Sequence, residues 1–119
     1  MSMPADLVTY LGTALGCGIH RLRIPPDPTF PLVVYQVIDT PELHVSGYVH
    51  PRVQFSCWAA TDIAADTLAS ALRTALEGFH GLMGTTHVHA MVVNRLDDYE
   101  ELSGLWRVIL DAQLLYRDT

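Results

Sequence analysis

Apolar positions along this chain recur at two spacings, and each spacing predicts a different element. From about Pro4 to the stop signals Gly16 and Gly18, the residues Leu7, Val8, Leu11 and Leu15 recur at three and four, which puts them on one face of a short amphipathic helix. A second helix is predicted after a cap at Thr61 or Asp62. Ala64, Leu68, Ala71, Leu72, Ala75, Leu76 and Phe79 form its stripe, and Gly78 and Gly81 mark its end. Elsewhere the period is two. The segment 32–38 is rich in β-branched and aromatic residues and stops at Asp39-Thr40-Pro41, so it reads as a strand. From Arg52, the side chains of Val53, Phe55 and Cys57 alternate with Gln54, Ser56 and Trp58. Thr86 to Val93 sets Val88, Ala90 and Val92 against His87, His89 and Met91. The last strand carries Trp106, Val108, Leu110, Ala112, Leu114 and Tyr116 on one face, with Arg107, Asp111, Gln113 and Arg117 on the other.

Pro25, Pro26, Pro28 and Pro31 exclude a helix interior and make the stretch between first helix and first strand an ordered connector. The run Asp97-Asp98-Tyr99-Glu100-Glu101 reads as a solvated acidic loop, and 42–50 as an arm or hairpin tip. The resulting order is helix, strand, strand, helix, strand, strand. Its simplest solution is an α+β two-layer sandwich, a four-stranded antiparallel sheet with both helices on one face. Leu11, Phe55, Leu68, Leu72, Leu76, Val108 and Leu110 are its expected core. Leu105, Ile109 and Leu115 interrupt the polar side of the last strand, and on the uncovered face of the sheet they would form a second apolar surface.

The 119 residues suit a single domain, 1–119. A formal net charge of −6 and the absence of lysine exclude the basic footprint of a dedicated nucleic-acid binder. No apolar run approaches a membrane span, and Cys17 and Cys57 are expected to stay thiols in a reducing cytoplasm. Charged residues make up only 17% of the chain, too few to coat a small monomer, which favours surfaces covered by other subunits.

Candidate chemistry is sparse. His87 and His89 stand two apart on a strand, so both imidazoles point to one side at a spacing that a zinc ion could share, but no third ligand is fixed by sequence. His44, His50, Asp97 and Asp98 would have to fold back to supply it. Cys57 lies on an apolar strand face, and the acids of 97–101 repel one another as a loop. No nucleophile elbow, phosphate loop or dinucleotide fingerprint occurs. The expectation is a protein without catalytic residues, cofactor or required metal.

Three segments together resemble a known family. Pro31-Leu32-Val33-Val34-Tyr35-Gln36-Val37, then Val53-Gln54-Phe55-Ser56-Cys57-Trp58-Ala59, then Asp97-Asp98-Tyr99-Glu100 with Gly104-Leu105-Trp106-Arg107-Val108, are similar in order and spacing to the tail-completion, or tail-terminator, proteins of long-tailed phages and prophages. The resemblance spans nearly the whole chain and includes the alanine-rich helix after the tryptophan. It implies a structural virion protein made in the host bacterial cytoplasm. Such a protein would assemble as a ring, usually a hexamer, at the neck end of the tail, with the tail tube protein and a head-completion or connector protein as partners. DNA would pass through the lumen without being gripped. On this reading Leu105, Arg107, Ile109, Asp111 and Leu115 are subunit-interface candidates. His44, Tyr48, His50, Asp97, Asp98, Glu100 and Glu101 are candidates for the lumen or a partner loop, although the residues of the 42–50 arm match no family motif. The alternatives are another neck or minor tail component of similar fold, or a small metal-dependent enzyme using His87 and His89.

Overall fold

The structure, a computed structural model, describes residues 3–26, 28–39, 48–83 and 86–117. The first apolar stripe winds into α1 (Met3–Leu15), where Leu7 and Leu11 are fully buried. Gly16 stops the helix at φ 66°, a conformation that favours glycine, and its N–H donates to the Gly12 carbonyl at 2.9 Å. The chain continues through β1 (Gly18–Arg21), β2 (Leu32–Asp39), β3 (Tyr48–Val49) and β4 (Arg52–Ala59). Next comes α2 (Asp62–Leu76), capped by Thr61, whose hydroxyl accepts from the Ala64 N–H at 3.1 Å. The strands β5 (His80–Met83), β6 (Thr86–Glu100) and β7 (Leu105–Arg117) complete the chain.

The sheet is larger than the pattern predicts, and it is mixed. Six strands lie in the order β1-β2-β4-β7-β6-β5, and β3 pairs with the end of β7 beside β4. The pair β1–β2 is parallel and the others are antiparallel. The expected four-stranded antiparallel sheet is therefore incorrect: it lacks β1, β3 and β5, and β3 has only two residues. Both β1 and β5 have only four residues, too few to establish a period, and each contains a glycine that also signals a stop. The expected acidic loop is a strand as well. Asp97, Asp98, Tyr99 and Glu100 pair with Val108, Arg107, Trp106 and Leu105, leaving only residues 101–104 to turn the hairpin.

Between Val92 and Asn94 the β6–β7 register shifts by one residue, a β-bulge at Val93. Before it, Val88, Ala90 and Val92 face the helices; after it, Arg95, Asp97 and Tyr99 lie opposite the helix-facing residues of β7. The bulge thus changes which sequence parity looks inward.

Both helices pack on one face of the sheet. There Leu7 and Leu11 of α1 and Leu68, Leu72 and Leu76 of α2 meet Val33, Tyr35, Val53, Phe55, Cys57, Val88, Val108, Leu110 and Leu114 in one buried cluster. Tyr10 ties α1 to α2: its hydroxyl donates to the Ala75 carbonyl at 2.9 Å and its ring lies 4.8 Å from that of Phe79. The opposite face is only partly open. Ile24 and Phe30 from the proline-rich connector lie over Leu32, Val34, Trp58 and Leu105, forming a second, smaller core.

Candidate interaction surface

The β6–β7 hairpin runs the length of the molecule. At about 3.3 Å per residue its 15-residue strand reaches roughly 50 Å, comparable with the long dimension of 46 Å. On one side β6 is paired with β7 from Val88 to Glu100, apart from the bulge at Val93; on the other, β5 pairs only with Thr86–His89. Among the described residues nothing pairs with the outer edge of β6 from Met91 to Glu100. This edge carries Met91, Val93, Leu96 and Tyr99, all exposed, and Leu102 at the hairpin turn is fully exposed. A long open edge with apolar side chains is a template for pairing with another chain.

Charge is organised around the same hairpin. Arg95 reaches from β6 to Asp66 of α2 at 2.7 Å and to Asp97 at 2.9 Å, and these bonds push its already high pKa further up. On the opposite face, Arg107 bonds the Asp98 carboxylate and lies 5.0 Å over the Trp58 ring. The Arg107 hydrogen bond holds the Asp98 pKa below the ordinary carboxylate range. The Arg107 Nε is buried with no hydrogen-bond partner among the described residues. Two of the acids read as a repelling group are thus separated onto opposite sheet faces, each beside an arginine; Glu100 and Glu101 stay exposed at the hairpin end. Beside Arg95, an open groove is lined by Asp62, Ile63, Asp66, Asp97, Tyr99 and Trp106, and the Tyr99 and Trp106 rings lie 4.5 Å apart.

The other candidates are scattered. Ile109 is only 8% exposed, and Leu105 packs into the connector cluster, so both already contribute to the packing of their own subunit. Asp111 is half-buried opposite Gln54 and Asn94. Leu115 and His50 line a shallow groove with His89 and Gln113. Tyr48 pairs through β3 with Arg117, and His44 lies outside the described residues. Leu96, Leu102 and Trp106 were absent from the sequence-based interface set. A strand partner missing on one side leaves no mark in local periodicity, so only the pairing reveals them.

His87 and His89 are exposed on the face away from the helices, and the sheet register adds a third imidazole, His80. Its ring stacks on His89 at 4.0 Å and stands 5.8 Å from His87. Asp97 and Asp98, the acids considered as further ligands, are engaged with arginines farther along the hairpin. In their present rotamers, no three His, Cys, Asp or Glu side chains among the described residues form a ready metal centre.

Three comparisons with known proteins complete the picture. No curated protein sequence matches the chain. A solved structure titled "Virion of native gene transfer agent (GTA) particle" contains a chain of similar fold, with a TM-score of 0.63 at 16% identity over 97% of this chain and 88% of that one. The family model for tail completion protein gp17 matches residues 5–117, nearly the full length. The chain belongs to the gp17 family of tail completion proteins, structural components of the phage tail.

Proposed function

We propose that the protein completes a phage tail by forming a ring on the end of the tail tube and joining it to the head connector, at the neck of the virion. Family membership over residues 5–117 carries this reading. The similar fold of a chain in a phage-like virion particle supports it. So does the form of the sheet. A closed ring needs heterologous contacts, in which one patch of each subunit meets a different patch of its neighbour. The two ends of this sheet are different surfaces: the short β1 with the connector at one, the open edge of β6 with β5 at the other. Leu96, Tyr99 and Leu102 would supply the apolar centre of that contact, with Arg107 and Asp111 beside it on β7. The role is structural and needs no catalytic residue.

Leu102 makes a clean probe because its full exposure means that a charge there leaves the subunit core intact. Leu102→Asp combined with Leu96→Lys is expected to give a folded subunit, by circular dichroism, with weakened ring formation on tail tubes in electron micrographs. A double variant that caps tubes as well as the parent would remove this edge from the interface. Failure of the parent to form rings, alone or on tubes, would overturn the tail-completion reading at this level of detail.

A further inference from the structure

The three imidazoles at the β5 end of the sheet have no role in the reading above, and their arrangement follows from register alone. His87 and His89 point to one face because they are two apart on β6, and His80 is the Cα partner of His89 on the neighbouring antiparallel strand. Leu82, the partner of His87, shares that face. Three of the chain's six histidines are thereby gathered within two short strand segments, all exposed.

We propose that His80, His87 and His89 bind one divalent transition-metal ion of the zinc class. Two imidazoles on one tetrahedral ion, each bound at about 2.0–2.1 Å, hold their ring centres roughly 5 Å apart. The observed 4.0 Å and 5.8 Å lie on either side of that value. The stacked His80–His89 pair must open and the His80–His87 pair must close, each by about an ångström, within the side-chain rotation that exposed rings retain. No strand has to move. Imidazole nitrogens select zinc, nickel or copper over magnesium and calcium, which prefer oxygen ligands. Three histidines leave a fourth position open to water or to a donor from a docked molecule. The nearby carboxylate is Glu77, which lines the adjoining groove with His89. The fold rests on its apolar core, so binding asks only for rotation of the three rings.

The test uses the full chain without a histidine tag, stripped with a chelator and titrated with zinc chloride by calorimetry near neutral pH. One zinc per chain is expected. His80→Ala, His87→Ala and His89→Ala should each weaken binding at least about tenfold, since one of three ligands is lost, whereas His20→Ala, in β1, should not change it. Magnesium chloride should give no heat of binding. Cobalt should give the intense visible absorption of a low-coordinate site, lost in the same three variants. Should a variant misfold, the parent decides: on zinc addition, three and not six histidine ring signals must shift in its nuclear magnetic resonance spectrum. Absence of stoichiometric zinc binding by the parent, or parental affinity in His80→Ala, would overturn the proposal.

Discussion

Cys57 illustrates how position sets chemistry at a single residue. Its side chain is fully buried among Val33, Phe55 and Val108, and burial, with a smaller push from Cys17 nearby, raises its thiol pKa to about 12. The reactive form is the thiolate, so iodoacetamide near pH 8 should leave Cys57 unmodified in the folded protein and label it in denaturant; mass spectrometry distinguishes the two. Asp98 gives the opposite case, an exposed group whose effect is modest. Arg107 lowers its pKa, so its contribution to stability is present above the unfolded value, about 3.9, and is lost as pH falls through the lower folded value. In Asp98→Asn the urea midpoint should therefore drop slightly at neutral pH and converge with the parent in acid. The alternation of Val53, Phe55 and Cys57 is enough to identify the inward face of β4 from sequence. The pairing of Asp98 with Arg107 is not legible that way, because it depends on which strand residues become neighbours across a hairpin.

At the level of elements, the helices and long regular strands are readable because each carries a full period of apolar residues. All seven residues expected in the core are buried. Leu72, at 0% exposure in the middle of α2, is the sharpest check: Leu72→Ala should destabilise by about 2 to 5 kcal/mol through lost transfer energy and the cavity left behind, seen as a lower thermal midpoint. Thr61→Ala removes the cap hydroxyl from the Ala64 N–H and should cost about 1 kcal/mol. The distal half of β6 was illegible for a different reason. After Val93 the inward parity changes, and the residues that then face the helices include Arg95 and Asp97, so neither alternation nor hydrophobicity continues. The long-range partner of Arg95, Asp66, lies 29 positions away in sequence.

For the whole molecule, the open edge of β6 and the connector-covered patch divide the outer apolar surface of the sheet into two kinds. The connector buries part of the outer sheet face within the chain itself, and the hairpin edge from Met91 to Glu100 stays unpaired among the described residues. This division depends on the order of strands, which follows from long-range pairing and has no local signature. The net charge of −6 without a single lysine sets a further expectation. Duplex DNA should show no retardation by the protein in native gels even at low salt, since few phosphates could be neutralised. A shifted band would contradict a subunit past which DNA slides freely.

The bulge at Val93 has a consequence for angle. If Val93 were deleted, the pairs Val92–Ala112 and Asn94–Asp111 would become successive rungs of a regular ladder, and no side chain on either half of β6 would change face. What would change is direction, because a bulge bends its strand and increases the local twist. A ring closes only when every subunit turns the chain of contacts by the same fraction of a circle. A Val93 deletion should therefore fold normally by circular dichroism yet yield open arcs, or rings of altered size, in electron micrographs. In the proposed ring, a single bulged residue would work as a protractor for the assembly.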